Sequence, residues 1–374
     1  MAIINWTGNY FLCFIISILL AGLIIPKVMR IAFSKKLFDV PDERKIHKGV
    51  VPRLGGVSFL PAIMFSFCVV VGYTIGIGPS NAVTAENLVP LLFYFCATLL
   101  IFLVGIADDL IGVRYSMKFL FQIAAGALIV SSGLWVHGFD GLLWIEKLPN
   151  WLGWILTVIY GLYIMNAINL IDGIDGLAAG VSMIALAFYS YVLFRSEQFL
   201  YCLLAGAALG TLVPFFFYNV FGRAERRNKI FMGDTGSLTI GTLLFFLSVT
   251  VFNIPATNIG NENLFILAVA PVMLPCFDVA RVFIHRIRRG TNPFLPDKGH
   301  LHHKLLALGF PQWKALICIL VADTVLVGVN LLLCAVVDST WLLLGDILIW
   351  TIANIWITAA IRKRERITNL KLYD

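Results

Sequence analysis

Charge is scarce in this chain. Only 13% of its 374 residues are Asp, Glu, Lys or Arg, roughly half the share found in a soluble domain. With 60% hydrophobic residues and a mean hydropathy of +0.90, that shortage excludes a water-soluble globule. Paired cysteines are missing as well. All seven (Cys13, Cys68, Cys96, Cys202, Cys276, Cys318 and Cys334) fall within apolar runs and none forms Cys-x-x-Cys, so they read as small hydrophobes, not as disulfides or zinc ligands. The first apolar run has no basic start, and cations follow it instead of preceding it, which argues against a cleavable leader. No internal repeat is visible.

What the chain has in quantity is apolar runs. Eleven reach spanning length, at about 9–30, 54–76, 88–107, 118–136, 151–170, 177–194, 199–219, 236–253, 264–284, 314–336 and 340–360. The expected fold class is therefore an all-α polytopic membrane protein of 11 transmembrane helices, folded as one integral-membrane domain over residues 1–374. A net charge of +7 does not indicate nucleic acid, because the cations are sorted by side. With the N-terminus outside and the C-terminus cytoplasmic, 26 of the 28 Lys and Arg lie inside, leaving Lys147 and Arg195 outside. The cytoplasmic loops are then 31–53, 105–118, 220–236 and 285–313, followed by a basic tail, 361–374. Its IRKRER stretch is expected to rest on the negative leaflet surface.

Those loops gather acids. Span three ends in GIADDLIG, with Asp108 and Asp109; span five ends in NAINLIDGIDGLAAG, with Asn169, Asp172 and Asp175; span eight is preceded by FMGDTGS, with Asp234. If the helix runs on through span five, Asn169, Asp172 and Asp175 form an i, i+3 stripe; Asp-Gly is equally good turn chemistry. Gly173 and Gly176 would let a ligand or backbone come close. Neighbouring Asp108 and Asp109 point about 100° apart on a helix, so one can face a site while the other braces it. Oxygen ligands beside glycines suit Mg²⁺, which takes a few carboxylates plus phosphate oxygens.

Cations that could meet an anionic substrate lie in the same loops: Lys45, His47, Lys48 and Arg53, then Lys118 with Gln122 one turn on, then Arg286, Arg288, Arg289 and Lys304. Half of the six histidines crowd into His300, His302 and His303; zinc is the weaker reading there, since no cysteine supports it. Asp278 and Arg281, at i, i+3, suggest an ion pair. Mid-span Asp323 is expected to be a buried, hydrogen-bonded structural residue, and His137 lies on the wrong side of the bilayer for this site. An ion-coupled transporter is the competing class, but such sites usually lie near the bilayer midplane in repeated halves.

The motifs GIADDLIG, NLIDGIDGLAAG, FMGDTGSL and DKGHLHHKLL, in that order, resemble the polyprenyl-phosphate N-acetylhexosamine-1-phosphate transferases of the glycosyltransferase 4 family, and within it the undecaprenyl-phosphate N-acetylglucosamine-1-phosphate transferase branch. The resemblance implies attack of polyprenyl (undecaprenyl) phosphate on the β-phosphate of a UDP-N-acetylhexosamine, releasing UMP, at the cytoplasmic face of a bacterial inner membrane. On this resemblance the reaction would open a cell-surface polysaccharide pathway. By motif, Asp108, Asp109, Asp172 and Asp175 would be catalytic, Asp108 as base or orienting group. Asp234 and Asn169 would hold Mg²⁺, with Mn²⁺ as a substitute. Lys45, Lys118, Asn219, Arg281, Arg286, His300, His302 and His303 would bind substrate. The partners implied are the two substrates and the lipid bilayer, not nucleic acid, with room for a homodimer. Leu301 interrupts the histidines and NPFLPD precedes them, which argues against a muramoyl-pentapeptide donor; UDP-N-acetylfucosamine is an alternative.

Overall fold

In lipid, backbone polar groups must be satisfied within the segment, so long apolar runs become helices. The computed structural model describes residues 5–37, 50–77, 84–255, 258, 262–291, 299–368, 371 and 373. Among these there is no strand. The α-helices are α1 (Trp6–Ser34), α2 (Phe59–Ile77), α3 (Ala85–Ile111), α4 (Tyr115–Ser131), α5 (Asn150–Ile171), α6 (Leu177–Arg195), α7 (Phe199–Val220), α8 (Gly233–Phe252), α9 (Leu264–Arg288), α10 (Leu301–Ala307), α11 (Gln312–Leu333) and α12 (Ser339–Thr368). All but α4 and α10, ten helices, are long and apolar enough to cross a membrane. The protein is a multi-pass membrane protein.

Of the eleven expected spans, ten meet that criterion and the eleventh, α4, is apolar but shorter. It has 17 residues, about 25 Å of helix against a hydrocarbon core of about 30 Å. The apolar run continues to Val136, but Gly133 takes φ +97° and ends the helix. Beyond it the Val136 N–H donates to Thr157 Oγ1 at 2.9 Å.

Helix α8 is the centre. It packs against α3, α5, α6 and α9, and every residue from Thr235 to Val251 is buried. A helix covered on all sides needs no polar stripe, and several of its hydroxyls bond its own backbone: Thr239 donates to Thr235 O at 2.6 Å, Thr242 to Leu238 O at 2.8 Å and Thr250 to Phe246 O at 2.8 Å. Small residues let neighbours come close. A Cβ on Gly105 of α3 would lie 2.5 Å from Thr235 Cα, and one on Gly56 2.0 Å from the Gly236 nitrogen. Phe11, Leu19, Leu23, Ile352 and Trp356 form part of an exposed apolar surface, the side offered to lipid.

The α5 helix stops at Ile171, so the continuous stripe through Asp175 does not form; residues 172–176 make a turn. Asp323 is also corrected. It is fully buried, and among the described residues neither carboxylate oxygen has a hydrogen-bond partner. The adjoining turn of α11 meets α6 through apolar contact, with Leu320 against Gly180.

Gly105→Ala should lower stability by about 1–3 kcal/mol through overpacking, whereas Gly72→Ala, whose Cβ would meet nothing within 4 Å, should not. Thermal unfolding of the two variants in detergent compares them directly.

Candidate functional site

The site is assembled from the C-terminal ends of α3 and α5 and the N-terminal ends of α4, α6 and α8. Asp109, in the last turn of α3, accepts from the first turn of α8: the Asp234 N–H reaches Oδ1 at 2.8 Å, and the Thr235 N–H and Oγ1 reach Oδ2 at 2.9 and 2.5 Å. Those amides have no acceptor inside their helix and lie at the positive end of its dipole. A carboxylate there fixes α8 against α3.

Asp108 turns the other way. Its Oδ1 accepts the Val113 N–H at 2.6 Å and its Oδ2 takes Lys118 Nζ at 2.7 Å. Lys118, in the first turn of α4, also stands 3.3 Å from Asp234 Oδ2. Asp234 Oδ1 accepts from Asn169 Nδ2, which donates as well to Ser237 Oγ at 2.8 Å; the Asn169 carbonyl Oδ1 takes no part in either bond. Three acidic motifs far apart in sequence thus join in one chain of contacts. Gln122, one turn deeper, accepts from Asn166 Nδ2 at 2.9 Å.

The turn after α5 is held from two sides. Lys229 Nζ pairs with Asp175 Oδ2 at 2.6 Å. Asn219 Oδ1 accepts the Gly176 N–H at 2.6 Å, and its Nδ2 donates to Ile230 O at 2.8 Å. Buried Asn219, expected to bind substrate, has its amide committed to these two backbone groups. The segment after Ile230 runs beside residues 52–56: Phe231 N–H reaches Pro52 O at 2.9 Å and Gly56 N–H reaches Met232 O at 2.9 Å. Asp172, half-buried at the end of α5, is pushed up to about 7 by burial and then by the charges of Asp234 and Asp175, against the pull of Arg53.

The histidines come in on α10. Asp278 of α9, only 1% exposed, receives His300 Nδ1 at 2.9 Å, Arg281 Nη2 at 2.7 Å and the Leu301 N–H at 3.1 Å. Arg281 also donates to Gly299 O at 2.6 Å, so this cation is spent on structure as the i, i+3 spacing suggested. The His302 ring lies against the Asp172–Gly176 turn, where a Cβ on Gly173 would fall 2.1 Å from its Nε2. His302 is 2% exposed, and among the described residues neither ring nitrogen has a partner. Burial and the neighbouring His303 push it down to about 3, so it is a neutral imidazole near pH 7 and not a proton-exchanging group. His303 stacks at an angle, its ring 4.1 Å from that of His302.

Lys304 departs from its expected role as a phosphate-binding cation. Its Nζ is turned to Asn354 Oδ1 at 3.1 Å and Thr358 Oγ1 at 3.0 Å, and burial and Arg281 push it down to about 8. Arg286 is buried near the end of α9, its carbonyl accepting from Thr291. Lys45, His47 and Lys48 lie outside the described residues. Three contributors went unread in the sequence: Lys229, Ser237 and the orienting role of Asp278. Lys229 sits five residues before Asp234 without a motif to mark it.

Residues 91–252 match the family model described as glycosyl transferase family 4, a stretch that holds all five carboxylates and stops before the histidines. A probable undecaprenyl-phosphate N-acetylglucosaminyl 1-phosphate transferase of Bacillus subtilis (strain 168) is 32% identical over 314 residues, covering 82% of this chain and 80% of the relative. The chain belongs to this transferase family. Undecaprenyl-phosphate alpha-N-acetylglucosaminyl 1-phosphate transferases of Yersinia pestis and Escherichia coli (strain K12) are 28% and 29% identical, each over 81% of this chain and 78% of the relative. The shared length extends well past the family-model match.

An asparagine at 109 would have to turn an NH₂ towards donors of α8. Asp109→Asn should cost about 1–3 kcal/mol, more than Asp108→Asn, which keeps an oxygen for the Val113 N–H. Denaturation of both variants in detergent measures the difference.

Proposed function

We propose that this membrane transferase moves N-acetylglucosamine 1-phosphate from UDP-N-acetylglucosamine to undecaprenyl phosphate and releases UMP, on the cytoplasmic side of a bacterial inner membrane, as the first membrane step of a cell-surface polysaccharide. The observation that carries the reading is the contact chain Asp108–Lys118–Asp234–Asn169, within reach of a histidine helix. The names of the relatives support the acceptor and the sugar.

Phosphoryl transfer asks mainly for positioning and for neutralised charge. An oxygen of the lipid phosphate attacks the β-phosphorus, the bond to the bridging oxygen breaks, and UMP departs with that oxygen. Lys118, oriented by Asp108, would receive the acceptor phosphate; Asp108 then positions more than it deprotonates, since a phosphate monoester is already charged near pH 7. His300, oriented by Asp278 through Nδ1, and neutral His302 would contact the donor's diphosphate and sugar, and Asp175, oriented by Lys229, the nucleotide. The turn's closeness to His302 would bring these two groups of contacts onto one donor.

The donor set fits Mg²⁺. Asp108, Asp109, Asp172, Asp175 and Asp234 face two close ammonium groups, Lys118 and Lys229, and the resulting surplus of negative charge is what helps to push Asp172 up. Among the described residues no three of His, Cys, Asp and Glu group closely enough to hold a metal by themselves; Mg²⁺ commonly completes its shell with substrate phosphates and water. Asp234 and Asn169 would hold the ion, with Asp172 near, and it would neutralise developing charge on the phosphates.

Purified protein given UDP-N-acetylglucosamine, undecaprenyl phosphate and Mg²⁺ should release UMP in step with a lipid-linked diphosphate sugar; solute uptake without UMP would favour a transporter instead. Asp108→Asn, Asp175→Asn and Asp234→Asn should each cut turnover by about 10³-fold or more while the protein stays folded in detergent, and full activity in any of them removes that residue from the site. Because metal favours the carboxylate of Asp172 over its acid form, Mg²⁺ binding should release a proton and tighten as pH rises through about 7. Calorimetry should show that slope in the parent protein and a flatter one in Asp172→Asn.

A further inference from the structure

Helix α10 has seven residues, about 10 Å of helix, too short to hold its own position. Besides Asp278 at its start, the turn at Gly173 against His302 and its packing on α11, it is held by polar contacts from the last helix. Asn354 and Thr358, one turn apart on α12, take Lys304 Nζ at 3.1 and 3.0 Å. Further along α12, Arg364 Nη1 donates to Ala307 O at 3.0 Å, one of the carbonyls left free at the end of α10. The guanidinium lies on Gly309, whose φ is +88° and whose added Cβ would sit 2.2 Å from Arg364 Nη1. Tyr373 closes the other side: its OH donates to Gly299 O at 2.9 Å and its ring lies under Lys304, 5.8 Å from Nζ, while its N–H is tied to Glu365 Oε1 at 3.0 Å. Residues 354, 358 and 364 lie within about a third of the circumference of α12, on a helix that also packs against α9.

Arg364 belongs to the IRKRER stretch that charge alone assigned to the lipid surface; in the structure it turns inward while Lys363 and Arg366 stay exposed. We infer that the distal end of α12 is a brace for the histidine helix, with Lys304, Arg364 and Tyr373 as positioning residues that set His300 and His302 for the sugar-nucleotide donor. The inference rests on the proposed role of those histidines. A brace on α10 tunes donor binding, whereas a basic tail lying on lipid would act through charge on the whole protein.

The test measures KM for UDP-N-acetylglucosamine and for undecaprenyl phosphate separately, with hydrogen exchange of the 301–307 amides, in neutral detergent and in vesicles with and without anionic phospholipid. Arg364→Ala and Tyr373→Phe should raise the donor KM at least about fivefold, with the acceptor KM and kcat nearly unchanged and exchange in α10 faster. Arg364→Lys, which keeps a donor, should recover part of the loss, and the exposed-charge variants Lys363→Ala and Arg366→Ala should change nothing. Equal effects of Arg364→Ala and Lys363→Ala, or an Arg364→Ala effect seen only with anionic lipid, would overturn the brace in favour of a surface anchor. Unchanged α10 exchange in Arg364→Ala and Tyr373→Phe would overturn it as well. His300→Ala is the separate check: an unchanged donor KM there defeats the histidine reading itself, whatever the exchange shows.

Discussion

Asp109 holds α8 by the first-turn amides that have no acceptor within the helix, and the rest of the site is placed by that contact. It sets the start of the central helix against the end of α3, so that Asp234 emerges beside Lys118 and Asn169. The close backbone contact at Gly105 is part of the same arrangement, since a side chain there would push the two helices apart and withdraw the carboxylate from its donors. A hydrogen bond to a charged group in a dry place is worth about twice a neutral one. Two of its partners here are backbone amides, which cannot swing away.

Once the carboxylates are gathered, their mutual repulsion has to be met. Two lysines from separate elements do part of this work, Lys118 between Asp108 and Asp234 and Lys229 at Asp175. Both are ammonium groups on flexible stems, able to give way to a harder cation or to follow an arriving phosphate. The histidine side is organised differently. Asp278, buried beneath α10, fixes one ring nitrogen of His300, and His302 is kept neutral by burial, so that side is organised by directed hydrogen bonds.

Much of this was legible because lipid imposes simple rules. Apolar runs announced the helices, and cation-rich loops bearing carboxylates announced the polar end. The misreadings all lie where a distant partner decides. Span five could be read as helix or turn through Asp175; the choice falls to Asn219, on another helix, which claims the Gly176 N–H. Asp278 had an adequate neighbour in Arg281, so nothing in the spacing pointed to His300. Arg364 stood in a run of cations that a membrane surface would satisfy, and its neighbours do point outward. Asp323 was expected to find a hydrogen bond, and the surrounding helices supply none among the described residues. Local pattern identifies what a segment can do, and the other end of the chain selects among the options.

Helix α8 leaves no flank for acyl chains: its hydroxyl-rich surface is buried from Thr235 to Val251. During synthesis such a segment has little reason to linger alone in the bilayer beside the translocon. Of the helices that enclose it, α3, α5 and α6 are made before it and α9 after. Its berth is therefore largely built when it emerges, and the order of the chain doubles as an assembly schedule in which the most deeply enclosed helix follows most of the helices that enclose it.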